Sequence, residues 1–356
     1  MTQPRWTRRP QGSTWGDFGV DDTWGRLNLI GPEQVRKGVA EVTEGRTFCL
    51  SLPLDHPGGM ALNPNRFPPI LRPGLRAGAV NFNWDMSVAY AGASDVVCDD
   101  LVVLHTQYST QWDAFGHEGA RFDADGDGTP EEVYYNGWRA GIDVTGPDSP
   151  RHAGLASLAD VEGAADGLAS TCDAGPVGIS HMARHGVQGR AVLVDLAAHY
   201  GTERVVVGHD QFAAVLRADD VVVEAGDVLL LHTGFGREVV ARGKRPTAEA
   251  LQVCTVLDGT DPALRQWITD SGVAAIAADN YAVEAFPAVG AAAGDPVLPL
   301  HELCLFRLGV HLGELWWLSD LAAHLRAAGR SRFLLTAPPL RLPGAAGSPV
   351  TPVATV

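Results

Sequence analysis

Two rhythms of apolar and polar residues run through this chain. Three glycine-led runs, Gly189-Arg-Ala-Val-Leu-Val-Asp-Leu, Gly226-Asp-Val-Leu-Leu-Leu-His-Thr-Gly234 and Gly272-Val-Ala-Ala-Ile-Ala-Ala-Asp279, are almost continuously apolar. That is the pattern of strands buried on both faces. Between them, Gln211 to Leu216 and Asp261 to Ser271 space their apolar residues helically, and the alternation predicts a mixed α/β chain. Upstream, Gly31-Pro32-Glu-Gln-Val-Arg-Lys37-Gly-Val-Ala reads as a helix opened by proline. Thr47 to Leu54 alternates as a strand does, and about His56 to Pro73 is a Pro/Gly/Asn-rich loop. Loops of that length inside compact domains usually have a function; covering a site and wrapping the surface are equally open. Asp99 to His105 is a short apolar run of strand type that feeds into Gln107-Tyr-Ser-Thr-Gln111-Trp-Asp113-Ala-Phe-Gly-His117. The latter segment is thereby expected at a strand end, a usual place for chemistry. No internal repeat or linker divides the chain, so a single domain over 13–356 is expected after an N-terminal tail, 1–12.

Composition limits the setting. The chain has 356 residues, 46% hydrophobic and 19% charged, an ordinary globular protein with room for a large core. A formal net charge of −15 repels phosphate backbones and anionic lipid surfaces, which argues against nucleic-acid and membrane partners. The five cysteines form no C-x-x-C pair and fit a reducing compartment. Neither a signal-peptide run nor a bilayer-length apolar window is present, so a cytoplasmic location is expected.

The polar segment carries the candidate chemistry. Asp113 and His117 are four residues apart, and a carboxylate with an imidazole suits Zn²⁺, Mn²⁺ or Fe²⁺; the same spacing is also common in surface pairs. Glu314 lies among Leu, Gly and Trp in Val310-His311-Leu-Gly-Glu314-Leu-Trp316-Trp317. Burying it there is costly unless a cation holds it, although it also stands where a helix-opening Glu would. Asp123-Ala-Asp125-Gly-Asp127-Gly128 resembles a calcium loop, but its twelfth position is Tyr134 and Pro130 interrupts it. An Asp-rich solvated turn is the better reading. Cys304 beside His301 sits in Leu-Cys-Leu-Phe, which reads as core packing. Neither a G-x-S-x-G elbow nor a phosphate-binding G-x-x-x-x-G-K-[ST] loop occurs.

These segments together resemble the cyclase family of metal-dependent hydrolases, which includes bacterial kynurenine formamidase and isatin hydrolase. The family signature is H-x-G-T-H-x-D-x-P-x-H. Aligned on the aspartate, Gln107 and Gln111 stand at its first two histidines, Ser109-Thr110 at Gly-Thr, Asp113 at Asp, Phe115 at Pro and His117 at the last His. The likeness extends through Trp15 to Asn28, Tyr135-Asn136-Gly137, Gly189-Arg190, Gly226 to Leu230 with Thr233-Gly234, His301 to Glu314, and the tail from Ala337 to Pro349. It implies a swivelling β/β/α fold, usually as a homodimer or homotetramer.

The resemblance also implies a site. One divalent metal would be held by Asp113, His117 and Glu314, with His301 as general acid/base. Gln107 and Gln111 would weaken, alter or remove a second metal position, because an amide oxygen is a poorer zinc ligand than imidazole. His105 would supply an imidazole only if the loop bulges. Manganese or zinc is expected ahead of magnesium. Trp112 and Phe115 are candidate walls for a flat substrate, with aromatic core packing the alternative. The implied activity is hydrolysis of an aryl formamide, cyclic amide or lactone. A cyclase or dehydratase using the same site, and a non-catalytic small-molecule binder, are the alternatives.

Overall fold

The computed structural model of the chain describes residues 5–154, 170–292 and 294–356. Among the described residues, nine strands form one mixed sheet. They are β1 (Thr47–Cys49), β2 (Gln111–Asp113), β3 (Gln188–Asp195), β4 (Val228–His232), β5 (Ala275–Ala278), β6 (His311–Glu314), β7 (Arg332–Thr336), β8 (Gly347–Pro349) and β9 (Val353–Thr355). Their order across the sheet is β1-β9-β7-β3-β4-β5-β6-β2-β8. Strands β3 to β6 are parallel, while β2 and β7 run antiparallel to their neighbours.

The continuous apolar runs have a direct cause. Along β3, β4 and β5, Val192, Val194, Leu229, Leu231 and Ile276 enter one core, while Ala191, Leu193, Val228, Leu230 and Ala275 enter a second on the other face. A strand covered on both sides has no polar face to show. The helices include α1 (Pro32–Ala40), α2 (Ile179–His185), α3 (His209–Ala218), α4 (Phe235–Arg242), α5 (Pro262–Ser271) and α6 (Ser319–Ala327). Helix α5 starts where Asp261 accepts hydrogen bonds from the Ala263 and Leu264 amides, a side-chain cap on groups the helix cannot satisfy itself.

Several expectations change. The strand read over Thr47 to Leu54 forms only over β1, which pairs with β9, with Ser51 adding a single bridge to Trp316. The loop read to Pro73 ends earlier, because Ile70–Arg76 is already a strand. The apolar run at Asp99 to His105 does form a strand, Asp100–Val103, but it pairs with Ile70–Arg76 in a separate three-stranded ribbon. Its side chains stay in solvent, with Leu101 51% and Val102 47% exposed. Apolar content therefore marked a strand here without marking the core. Residues 5–12 do not hang free as a tail. The Thr7 and Arg8 amides donate to Ala124 O at 2.8 and 3.0 Å, and Trp6 packs edge-on against Trp15.

Candidate metal centre and active site

The site is assembled from β2, β6 and the helix that begins at Pro299. In the β2–β6 ladder Glu314 lies opposite Gln111, with Asp113 two residues further along β2. Side chains alternate across a strand, so Gln111, Asp113 and Glu314 share one face while Trp112 and Gly313 share the other. Gly313 has no side chain for a packing reason: a Cβ there would meet Ala277 Cβ and Trp316 Nε1 at 2.8 Å. Trp112 occupies that space, edge-on to Trp316 and donating to Ala337 O.

Three ligand-type side chains, Asp113, His301 and Glu314, bring donor atoms within 4.8 Å of one another, all buried. His117, on the turn after β2, stands with Nε2 4.0 Å from Asp113 Oδ1. Gln107 Nε2 donates to Asp113 Oδ1. Gln111 Nε2 lies 3.4 Å from Asp113 Oδ1 and 3.3 Å from Glu314 Oε2. All six polar residues expected at the site thus converge, although they come from segments almost two hundred positions apart.

His301 is held from both sides. Its Nδ1 lies 2.9 Å from Glu284 Oε1 and its Nε2 3.2 Å from Glu314 Oε1. Glu284 also accepts the Leu300 and His301 backbone N–H groups at 2.9 Å, fixing the first turn of the helix that presents the imidazole. Gly259 leaves room for this carboxylate, since a Cβ there would lie 2.0 Å from Glu284 Oε2. Beyond His301 the helix widens into a π-helix, Glu302–Leu308, a form found frequently at functional sites.

The electrostatics follow from burial and proximity. Burial, reinforced by Glu314, pushes the Asp113 carboxyl above the usual carboxylate range. Burial would raise Glu314 too, but its hydrogen bond from His301 and that residue's charge hold it low. Burial works against protonated His301, yet the contacts with Glu284 and Glu314 outweigh it and raise its pKa to about 10. Glu118 is pushed up by burial beside His301 and His117.

The donor set fits a divalent cation on an observation separate from charge. Asp113 Oδ2 and Gln111 Oε1 are buried oxygens to which no protein group donates. Buried polar atoms are nearly always partnered, and two adjacent buried carboxylates are costly without a counter-charge. Asp113, Glu314, His117 and the Gln111 amide oxygen are the groups placed to hold one.

Some expected residues lie elsewhere. Trp112 and Phe115 are completely buried, Trp112 on the far face of β2 and Phe115 stacked on the His311 ring at 4.0 Å. Both belong to the core, so neither walls a substrate pocket. His105 packs edge-on against Phe67 and is outside the buried cluster. The Asp123 carboxylate accepts from the Gly126 and Gly128 amides and pairs with Arg8, as a structural turn would. Cys304 is buried in the core, and burial raises its thiol.

The sequence reading missed Glu284, Arg66 and Tyr281. Glu284 sits in Tyr281-Ala-Val-Glu284-Ala-Phe, the same buried-carboxylate signal that marked Glu314. Arg66 Nη1 donates to Gln107 O at 2.6 Å, and its charge helps lower Glu314. With Asn63, Tyr108 and Tyr281 it lines a narrow pocket at the edge of the site, so the long loop covers the site. The backbone is unusual here: Ala282, Val283 and Leu315 have φ of 69°, 60° and 57°. Left-handed β-branched residues are strained and cluster at functional positions.

Comparison with known proteins bears on the fold and the family. The sequence pattern of the family described as Putative cyclase matches residues 49–285, about two-thirds of the chain. The chain belongs to the cyclase family. A crystal structure described as a novel cyclase is 27% identical, covers 97% of this chain and 100% of its own, and superposes with a TM-score of 0.71. Isatin hydrolase A from Labrenzia aggregata, bound to benzyl benzoate, is 12% identical, covers 91% of this chain and 98% of its own, and gives a TM-score of 0.53, a likeness of fold. No curated protein matches in sequence.

Proposed function

We propose that this member of the cyclase family is a metal-dependent hydrolase of a carbon–nitrogen or ester bond, with an aryl formamide, cyclic amide or lactone as substrate. The observation that carries the reading is the buried Asp113–Glu314 pair, whose Asp113 Oδ2 and neighbouring Gln111 Oε1 have no protein donor, beside a histidine clamped between two glutamates. A divalent ion held by Asp113, Glu314 and His117 would supply Lewis acidity at the substrate carbonyl and acidify an attacking water. A set of carboxylates, imidazole and amide oxygen favours manganese or zinc over magnesium.

The protein's own part centres on His301. Glu284 fixes its Nδ1, leaving Nε2 directed into the site. A cation on Glu314 would offset that carboxylate's pull on His301, so that Nε2 can take the proton of the water adding to the carbonyl carbon and return it as the bond to the leaving nitrogen or oxygen breaks. Glu284 acts through His301, holding the ring and keeping it strongly basic. Arg66 and the loop around it screen the reacting groups from solvent, which strengthens these charge interactions.

The test is elemental analysis of protein purified without chelator, followed by assays on aryl formamides, cyclic amides and lactones. One bound metal per chain with turnover abolished by chelation is expected; a protein that neither carries nor takes up metal would instead be a small-molecule binder. The cyclase named for the 27% identical structure motivates a second reading, cyclisation or dehydration at the same groups. Reaction in ¹⁸O-labelled water separates the two, since only hydrolysis adds label to the product.

A homodimer or homotetramer is part of the same reading. Leu71, Leu75, Val80 and Val102 are all exposed on one face of the three-stranded ribbon, an apolar cluster of the kind that marks an interaction surface. Light scattering on the eluting protein should give at least twice the 37.7 kDa chain mass. The small-molecule substrate is the other partner in this reading. Among the described residues no helix is long and apolar enough to cross a membrane.

A further inference from the structure

The reacting groups have almost no room beside them. Asp113, His301 and Glu314 are 0%, 1% and 3% exposed. The narrow pocket at the edge of the site measures about 10 Å³; Gln107, Tyr281 and Leu315 line it from the body of the protein, and Leu62, Asn63 and Arg66 from the long loop. Gln107 is the residue that donates to Asp113, and Leu315 directly follows Glu314. Such a space holds at most about one water molecule, whereas a benzene ring needs about 150 Å³. A substrate of the proposed class fits only if a wall moves.

The two walls are held differently. On the body side, the Leu315 amide donates to Asn280 O at 3.0 Å, and Glu314 before it is part of the sheet. The loop, residues 53–67, is fixed at its two ends: the Leu52 amide donates to Thr110 Oγ1 at 2.8 Å, and a strand begins at Ile70. Between those ends, and among the described residues, its backbone–backbone hydrogen bonds are internal, His56 N to Pro53 O and Arg66 N to Asn63 O. Side chains tie it to the body. Tyr108 OH donates to Gly59 O at 2.9 Å, Asn63 Nδ2 to Tyr281 OH at 3.3 Å and Arg66 Nη1 to Gln107 O at 2.6 Å. Lys244 pairs with Asp55, and Leu62 packs on the cluster of Phe235 and Leu251. A segment without backbone bonds to its surroundings opens at lower cost than a strand or helix.

We infer that residues 53–67 are a lid, which swings on its ends at Leu52 and Ile70 to admit the substrate and closes over it, with the bond from Arg66 to Gln107 O as the latch. Closure therefore bears on the residue that orients Asp113, because Gln107 accepts the latch on its carbonyl and donates to Asp113 from its side chain. Lids of this kind exclude water while the chemistry proceeds. The inference rests on the hydrolase reading in supposing that a substrate must reach Asp113, His301 and Glu314.

Trypsin and a chelator test it on the whole protein. The bond between Arg66 and Phe67 can enter a protease only when Arg66 leaves Gln107. It should be cut at least about tenfold sooner than the bond after Arg190, a 4% exposed residue of β3 that is freed only by global unfolding; mass spectrometry identifies each cut. Lys37 and Lys244 are the only lysines, so in Lys37→Arg protein a carbodiimide can join Lys244 to the Asp55 carboxylate it touches. The linked peptide confirms the pinned lid, and protein carrying both Lys37→Arg and Lys244→Arg, treated alike, is the control. Pinning should slow both the cut at Arg66 and the loss of metal from loaded protein to excess chelator by at least about fivefold, and Asn63→Ala should speed both by about two- to fivefold. A cut at Arg66 no sooner than at Arg190, or a cutting rate unmoved by pinning and by Asn63→Ala, would overturn the lid. So would metal loss that ignores pinning, which would route traffic past His117, whose side chain is 24% exposed. Protein that never carries metal fails the hydrolase reading alone, and the cut at Arg66 then decides the lid by itself.

Discussion

The sheet carries two buried clusters of histidine and carboxylate, and they are built differently. At the carboxyl ends of β3 to β5, Asp195 Oδ1 lies 2.7 Å from His232 Nδ1, whose Nε2 lies 3.3 Å from Ser319 Oγ. Asp279 accepts from the Thr233 amide, the Thr233 hydroxyl and the Gly234 amide. Asp195 accepts further from Ala198 and Arg326. The residue types are those of a hydrolytic triad, yet these carboxylate oxygens are already spent on protein donors and Ser319 is 2% exposed. At the other cluster Asp113 Oδ2 and Gln111 Oε1 have no donor. Burial raises both Asp113 and Asp279, so a shifted proton equilibrium does not separate the two places. What separates them is whether the protein has finished the hydrogen bonding itself.

That contrast can be broken at several points. The largest expected effect is on turnover. His301→Ala should lower kcat by about 10²–10⁴-fold with the fold intact, whereas His232→Gln should leave turnover within a few-fold of wild type; steady-state kinetics with circular dichroism checks both. Next comes stability. Asp279→Asn sets an amide NH₂ against backbone donors and should cost about 3 kcal/mol. Asp113→Asn in metal-free protein should cost nothing or stabilise slightly, because it removes a buried charge lacking its counter-ion. Denaturant melts read the difference, and equal costs would show that the two clusters are the same kind of object.

A smaller effect is expected at Glu284. Glu284→Gln should lower kcat by about 10–100-fold and move the pH profile of turnover toward acid, because His301 loses one of the two carboxylates that raise it. A purely structural role would lower the melting temperature without moving the profile. The smallest effect belongs to the satisfied cluster. Burial would raise Asp195, but His232 and Arg326 bring it to about 2, so its stabilising contribution is present above its unfolded value of about 3.9 and lost as pH falls toward 2. Burial would lower His232, but Asp195 and Asp279 outweigh it and raise it. That contribution is full below about 6.5 and lost as pH rises through the raised value. The melting difference between wild type and Asp195→Asn should therefore be widest between about pH 4 and 6.5.

Much of the fold was legible because burial on both faces leaves a local mark. The runs at Gly189, Gly226 and Gly272 became β3, β4 and β5, and the helix signals at Pro32 and Asp261 became α1 and α5. The strand read over Asp99 to His105 forms too, over Asp100–Val103, but in an exposed ribbon; strand propensity is local, whereas burial depends on what else arrives. Trp112 looked like a pocket wall because it adjoins Asp113 in sequence. In a strand, adjacent residues face opposite ways, and that parity became useful only once β2 had a partner.

The sequence by itself determined the α/β class, the family, and the six polar residues that converge at the site, since each is carried by local pattern or by motif. Tertiary structure decided the rest. The β2–β6 register sets Glu314 opposite Gln111, Glu284 reaches His301 from a different segment, and only the folded chain leaves Asp113 Oδ2 without a donor. The physical reason is that a hydrogen bond left unmade is a property of every neighbour a group acquires on folding, and no stretch of sequence records it.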